Sequence, residues 1–244
     1  MAPAVHPGPT YEGDWASVSE QRNPTVYANF WIYDVDREWR KLPDQERACA
    51  REQLAQVICA SSDDVTLRGA YSTVGLRHDA ALMLWTVTES LDAMQQLAVN
   101  INRSELGKYL INRYTFLGLA LGSRYTADHA PAFISGTPPK RYLSVYPFVK
   151  SHEWYQMPFE ERRKAMAEHG VMGREYPHIL TNTTSSFGIA DHEFVVALET
   201  DDLEDMVKMV EYLRGAASRP YTTIDTPIIL GTRKELEEAL ADLG

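Results

Sequence analysis

Two stretches of the chain match each other and decide its fold: TVGLRHDAALMLWTVTESLDAMQQL at 73–97 and SFGIADHEFVVALETDDLEDMVKMV at 186–210. Each contains a strand-like apolar run after a polar break, and a helix with an acidic first turn follows. The match predicts an internal duplication. The aligned pairs, with a one-residue gap after the first, are Gly75 with Gly188, Thr88 with Thr200, Leu91 with Leu203 and Met94 with Met206.

A strand and a helix precede each matched stretch. In the first half they are VYANFWIY (26–33) and DQERACAREQLAQVICA (44–60), and in the second half YLSVYPFV (142–149) and PFEERRKAMAEH (158–169). The second copy ends with the strand TTIDTPIILGT (222–232), and the helix KELEEALADL follows it. Each half therefore has the element order of the ferredoxin-like split βαβ pattern. Because helices and strands alternate in many folds, a chance likeness between the halves is the alternative.

This element order predicts an α+β fold made of two ferredoxin-like repeats, of the dimeric α+β barrel type. We expect two antiparallel sheets, each covered by helices on one face. The Pro- and Gly-rich segment 1–22 is predicted to be a mobile arm. The first domain is predicted at 23–121, a linker loop at 122–140, and the second domain at 141–244.

Composition limits the classes of function. The 244 residues carry a net charge of −10, which argues against non-specific binding of nucleic acid. No apolar run reaches the ~20 residues that span a bilayer, and the N-terminus does not resemble a secretory signal. Cys49 and Cys59 lie ten residues apart in one predicted helix, ~15 Å along its axis, too far for a disulfide. We therefore expect a reduced, cytoplasmic protein.

One histidine stands near the predicted end of a helix. Pro158 suits the first turn, and Gly170 suits the residue that ends a helix. Phe159, Met166 and His169 share one helical face, which we expect to point to the interior. His169 could be a ligand of a metal, or a core histidine whose ring is hydrogen-bonded to a carbonyl.

The strand before that helix has two different faces. Because side chains alternate along a strand, every second residue shares a side. The aliphatic side suits packing beneath helices and consists of Leu143, Val145, Pro147 and Val149. The other side is polar and aromatic and suits a ligand pocket, and it consists of Tyr142, Ser144, Tyr146, Phe148 and Lys150.

The whole stretch YLSVYPFVKSHEWYQMPFEERRKAMAEHG (142–170), followed by GREY (173–176), resembles the coproheme decarboxylases, which are chlorite-dismutase-like haem proteins. HGVMGR (169–174) matches the proximal-ligand motif of that family, and the chain looks like its actinobacterial branch. The resemblance implies an enzyme that decarboxylates two propionates of Fe-coproporphyrin III (coproheme) with hydrogen peroxide. A three-propionate intermediate and then haem b would form. Coproheme would be both substrate and redox cofactor.

The resemblance also implies roles for individual residues. His169 would hold the iron, Tyr146 would carry a radical, Lys150 would pair with a propionate, and Trp154 would lie near the reactive side. His129, in the linker loop, would be the distal base that assists peroxide. Lys150 also fits an exposed strand edge, Trp154 plain packing, and His129 an exposed loop. Further candidates for contact with the cofactor are Tyr142, Ser218, Arg219 and, more weakly, Tyr221.

Chlorite-converting relatives carry a distal arginine soon after the proximal histidine. The corresponding position here is near Asn182, and no arginine occurs between Arg174 and Arg214. Without that cation, chlorite would be poorly held over the iron. We therefore rank a chlorite-dismutase-like activity below decarboxylation.

The resemblance implies partners as well. We expect a homopentamer, coproheme and peroxide as small-molecule partners, a transient contact with the coproporphyrin ferrochelatase, and neither nucleic acid nor a membrane. A non-catalytic haem carrier or sensor is one rival hypothesis. A cofactor-free monooxygenase on the same scaffold is another, because a fold does not determine function.

Overall fold

The computed structural model describes residues 25–121 and 131–244. Within these residues, no helix combines the length and the apolarity that crossing a bilayer would need. The first half consists of β1 (Tyr27–Val35), α1 (Asp44–Cys59), β2 (Thr66–Ser72), β3 (Leu82–Thr88), α2 (Leu91–Arg103) and β4 (Leu110–Leu119). The second half consists of β5 (Tyr142–Lys150), α3 (His152–Gln156), α4 (Phe159–Gly173), β6 (Leu180–Ser185), β7 (Phe194–Thr200), α5 (Leu203–Leu213), β8 (Thr222–Ile224), β9 (Ile229–Lys234) and α6 (Leu236–Ala241).

The described strands form one antiparallel sheet in the order β7-β6-β4-β1-β3-β2-β9-β5-β8, and a further pairing of β5 with β7 closes it. The predicted α+β class with ferredoxin-like repeats is confirmed. The two expected sheets join into one closed sheet, because β9 pairs with both β5 and β2 and so connects the halves. A second contact joins Leu119 of β4 to Ser185 of β6. Closure gives the edge strands of each half a partner, which open sheets would lack.

Three hydrophobic clusters fill the molecule, and strand alternation separates them. Phe30 of β1 faces the interior of the closed sheet, together with Val145 of β5 and Ala197 of β7. Its neighbour Trp31 faces outward into a cluster shared with the helices of the first half. On the outer face of the second half, Met206 and Met209 of α5 form a third and smaller cluster.

The matched turns of the two halves share a backbone conformation. Gly75 has φ 77° and Gly188 has φ 74°. Residues with a Cβ avoid this left-handed region, so glycine suits both turns. The conformational match supports the alignment of the two halves that their sequences predict.

The last predicted strand, 222–232, is interrupted. β8 pairs with β5 at Val149↔Ile224, and β9 pairs with β5 up to Val145↔Ile229. The intervening residues 225–228 leave the ladder opposite Tyr146–Phe148. This break gives β5 a short stretch where side chains of the 225–228 loop replace a regular partner strand.

Helix α4 is longer than predicted. Gly170 does not have a left-handed φ, and the helix continues to Gly173. The expectation that its apolar face points to the interior is wrong, since α4 buries no residue completely and Phe159 is 46% exposed. α4 packs mainly against α5, and the half-buried Met166 and His169 lie on its less exposed side.

Candidate active site

The segment 216–222, which follows α5, connects the elements that carry the candidate residues. Its Ala217 N–H donates to Glu168 of α4 at 3.0 Å, beside His169. Its Ser218 carbonyl accepts from Lys150 Nζ, at the end of β5, at 2.8 Å. Arg219, which begins a 3₁₀ turn, forms an ion pair with Asp225 beyond β8. Through this segment, α4, β5 and the break after β8 meet in one place.

Lys150 is buried, with 9% of its surface exposed, so it is not a solvated strand-edge lysine. Its Nζ lies 4.4 Å from the ring centroid of Trp154, a cation–π distance. Burial is the main cause that lowers the pKa of Lys150, nearby Arg219 adds to this shift, Glu193 opposes it, and the resulting pKa is about 8. At neutral pH the ammonium is therefore mostly charged, in surroundings that would favour an anionic ligand beside it.

Trp154 is a packing residue of this cluster. Its side chain is buried at 3% exposure, and its ring lies 5.6 Å from that of Tyr221. Trp154 thus lies in contact with Lys150 and Tyr221. The structure shows that Trp154 packs on the lysine, and its position near the reactive side of a porphyrin stays a prediction.

Tyr146 lies on the outer face of β5, half-buried against the methionines of α5. The pKa of its phenol is raised to about 12, mainly by burial. Arg214 and Arg219 oppose the increase, and Asp225 adds to it. No hydrogen bond to the phenol occurs within residues 25–121 and 131–244. The phenol consequently keeps its proton at neutral pH.

His169 is half-buried near the end of α4. Its Nδ1 atom is buried and has no hydrogen-bond partner in the described part of the chain. Burial lowers the pKa of the ring, the Lys150 ammonium lowers it further, and Glu168 opposes both. At neutral pH the imidazole is therefore neutral, which is the state that ligates a metal.

These features fit an iron porphyrin. The neutral imidazole suits haem iron as a single axial ligand, and the described residues hold no cluster of three His, Cys, Asp or Glu side chains that could bind a metal in another way. Because α4 packs on α5 rather than closely on the sheet, a planar group could lie between α4 and the outer face of β5. The group would meet cations there, in a chain of net charge −10.

Two residues of the cluster could not be predicted from the sequence. Arg214 ends α5, and its Nη1 lies 2.6 Å from Oδ2 of Asp225, the same oxygen that Arg219 contacts at 2.7 Å. No motif identifies this bridge, because it depends on the interruption between β8 and β9. Asp225 has a lowered pKa, since the hydrogen bonds and charges of both arginines outweigh its partial burial.

Of the remaining candidates, Ser218 belongs to this cluster and Tyr142 does not. Tyr142 is at the opposite end of β5 from Lys150, ~26 Å away along the strand, and its ring lies 5.0 Å beneath Arg141. The side chain of Ser218 is buried, and the residue contributes its carbonyl oxygen to Lys150. His129 lies outside the described residues.

Asn182 does not correspond to a residue over this site. It lies in one row with Ala197 and Val145, which face the interior of the sheet, and it donates to Glu199 at 3.0 Å. The row on the outer face runs instead from Tyr146 through Val196 to the exposed Thr183. Asn182 therefore faces the interior and its neighbour Thr183 faces outward, because successive strand residues point to opposite faces.

Two open surface cavities, of about 530 and 690 Å³, lie in the first half. Trp39, Tyr109 and three glutamates help to line the first, and Asp34 and Arg113 help to line the second. Neither contains a residue of the cluster around segment 216–222. The candidate site is therefore assigned from the chemistry of its residues, which lie in the second half, and not from either cavity.

The fold and this cluster suit a haem protein, and comparison with known proteins identifies the family of the chain. The family model described as chlorite dismutase matches residues 47–234. The chain therefore belongs to the chlorite dismutase family. This confirms the family resemblance that the 142–176 region predicts.

Individual relatives give the same result. The chain is 34% identical over 201 residues to a coproheme decarboxylase of Mycolicibacterium smegmatis, an alignment that covers 82% of this chain and 87% of the relative. Chlorite dismutase from Candidatus Nitrospira defluvii, solved in complex with imidazole, has a TM-score of 0.82 at 24% identity, with 89% of this chain and 94% of that chain covered. A putative chlorite dismutase has a TM-score of 0.79, with 90% and 99% covered. These two structures are similar in fold.

Proposed function

We propose that this protein is an oxidoreductase that decarboxylates coproheme to haem b with hydrogen peroxide. The observation that carries the proposal is the convergence on segment 216–222 of a neutral imidazole, His169, a protonated phenol, Tyr146, and a buried cation, Lys150. The 34% identity to a coproheme decarboxylase supports the same substrate.

Each residue has a distinct task in this proposal. His169 would ligate the iron, and a bound coproheme would supply both the iron at which peroxide is reduced and the propionates that react. Lys150 would pair with one propionate carboxylate and hold it beside Tyr146. Lys150 and Tyr146 lie on one strand, four residues or ~13 Å apart, which is a spacing that suits contacts at the rim of a porphyrin.

The phenol of Tyr146 would lose an electron and a proton together, because its pKa of about 12 makes prior ionisation at neutral pH unfavourable. The resulting neutral radical would take a hydrogen atom from the β-carbon of the propionate. For each propionate, one H₂O₂ is consumed, and the products are a vinyl group, CO₂ and two waters. The substrate thus loses two electrons and peroxide gains them.

The distal side and the assembly remain part of this proposal. His129 would serve as the base that moves a proton on peroxide, and the protein would act as a cytoplasmic homopentamer with two domains per chain. A histidine base suits a reaction near neutral pH. The ferrochelatase that inserts iron into coproporphyrin would supply the substrate by transient contact.

The test is a peroxide titration of the purified protein loaded with one equivalent of ferric coproheme. Mass spectrometry of the extracted porphyrin should show a three-propionate intermediate and then haem b, each step losing roughly 46 Da, the sum of CO₂ and two hydrogens. Porphyrin bleaching without either mass would contradict the proposal and favour a haem carrier. A protein that does not bind coproheme would contradict both.

A further inference from the structure

An unusual charged group of this site is the bridge that Asp225 forms between Arg214 and Arg219. One carboxylate oxygen, Oδ2 of Asp225, accepts from Nη1 of both guanidinium groups, at 2.6 and 2.7 Å. The side chain of Asp225 is 20% exposed, and those of Arg214 and Arg219 are 43% and 31% exposed. The three side chains together carry one net positive charge.

The bridge lies directly beside Tyr146. Asp225 begins the loop 225–228 that leaves the ladder opposite Tyr146–Phe148. Arg214 follows Leu213, which packs against the same methionine cluster as Tyr146. Arg219 follows Ser218, whose carbonyl holds Lys150. The bridge therefore brings one cation from the end of α5 and one from the 3₁₀ turn close to Tyr146.

Guanidinium groups bind carboxylates through paired N–H donors. Each arginine of the bridge uses only Nη1 on Asp225, and its other N–H groups have no partner among the described residues. A site with spare donors and one excess positive charge matches one further carboxylate.

We propose that Arg214, Asp225 and Arg219 form a subsite for one propionate of the substrate, next to Tyr146. Arg214 and Arg219 bind the incoming carboxylate. Asp225 holds the two arginines together through its shared oxygen, and its charge limits how tightly the subsite binds. The inference rests on the proposed function and deepens it, because it assigns two residues, Arg214 and Asp225, to substrate recognition.

The test measures binding in the absence of peroxide, so it does not depend on turnover. Absorption titrations give the Kd of ferric coproheme and of its tetramethyl ester, in which all four carboxylates are neutral. Arg214→Gln should raise the Kd for coproheme about three- to tenfold, an effect of a partly exposed charge pair. The Kd for the ester should stay at the wild-type value, which also shows that the pocket of the variant is intact.

The direction in which Asp225→Asn changes the Kd for coproheme is the decisive result. It keeps an oxygen acceptor and the side-chain volume but removes the negative charge, so coproheme should bind about threefold more tightly. A purely structural ion pair would respond in the same direction to both substitutions. Arg113→Gln is the matched control, since Arg113 is also 43% exposed and pairs with Asp34 at 2.9 Å, and it should leave both Kd values unchanged.

Three results would overturn the inference: wild-type affinity in Arg214→Gln, equal weakening of coproheme and ester, or weaker binding in Asp225→Asn. Each of them leaves the proposed function standing if the wild type still decarboxylates coproheme. Failure of the wild type to bind coproheme would overturn the inference and the proposed function together.

Discussion

At the scale of single residues, the protonation state of Tyr146 determines what the site can do. Burial is the main cause that raises the pKa of this phenol to about 12, so the phenol stays protonated at neutral pH. A neutral phenol can give up a hydrogen atom, whereas phenylalanine cannot. Tyr146 should therefore be needed for chemistry but not for binding.

Tyr146→Phe should bind ferric coproheme with wild-type affinity and decarboxylate it roughly 100-fold more slowly. This rate change corresponds to an activation free energy that is ~3 kcal/mol higher. Single-turnover mixing with peroxide, followed by mass analysis of the porphyrin, measures the rate. Tyr33→Phe, a buried tyrosine of the first half whose pKa burial also raises, is the control and should react normally. Turnover by Tyr146→Phe at the wild-type rate would remove the radical assignment.

If Lys150 binds a propionate, the affinity for coproheme should fall as the pH rises. Its pKa is lowered from 10.5 to about 8, so the ammonium is present below about pH 8 and is lost above it. Propionates stay ionised throughout this range. Coproheme affinity should thus be flat below about pH 8 and fall above it, by up to about tenfold per pH unit.

Lys150→Arg is the matched variant for this pH profile, because arginine stays charged at every pH in the titration. Its coproheme affinity should show no step near pH 8. Equilibrium absorption titrations from pH 6 to 10 provide the comparison. An identical profile in wild type and variant would mean that another group titrates.

The motif at 142–174 predicts Tyr146, Lys150 and His169 as site residues. The structure connects their elements through segment 216–222, and the roles of the three residues stay predictions. Arg214 and Asp225 were missed, because their contact depends on a break in strand pairing that apolar patterning does not encode. The position near Asn182 stays a prediction, because a shift of one residue along a strand reverses side-chain direction.

At the scale of elements, α4 differs most from expectation. His169-Gly170 resembles the end of a helix in sequence. In the structure, however, α4 continues to Gly173. Glycine is permitted but not required at a helix end. Whether position 170 has a left-handed φ depends on the turn that follows the helix. A single glycine does not determine that turn.

Gly170→Ala should therefore stabilise the protein by up to ~1 kcal/mol, since alanine favours helix over glycine. A Cβ at this position meets nothing nearer than Arg174 Nη1 at 3.8 Å. Urea unfolding measures the change. Gly188→Ala, at φ 74°, should instead destabilise, and destabilisation by Gly170→Ala as well would restore the predicted helix end.

At the scale of the whole molecule, a buried ion pair links the two halves. Arg68 of β2 contacts Glu199 of β7 at 2.7 Å, with side-chain exposures of 8% and 0%. Asn182 and the Lys140 N–H also donate to Glu199, and Arg68 lies 4.8 Å from the ring of Trp85. The sequence predicted the duplication and the fold of each half. Which strands pair across the two halves was not predicted, because this pairing depends on contacts between distant residues such as these.

Arg68→Met should destabilise the protein by ~3–5 kcal/mol, because it leaves the Glu199 charge buried without its cation. Urea unfolding monitored by tryptophan fluorescence gives the free energy. Arg163→Met breaks the exposed pair with Glu160 and should cost less than ~1 kcal/mol. A loss from Arg68→Met as small as that of the control would mean that the pair does not hold the halves together.

The central claim is that His169 holds the iron of a porphyrin between α4 and the outer face of β5. The most direct measurement is an absorption titration of ferric coproheme into wild type and His169→Ala. We predict a Soret shift that saturates at one coproheme per chain in the wild type, and a shifted band with weaker binding in His169→Ala. The same spectrum and affinity in both proteins would contradict the claim.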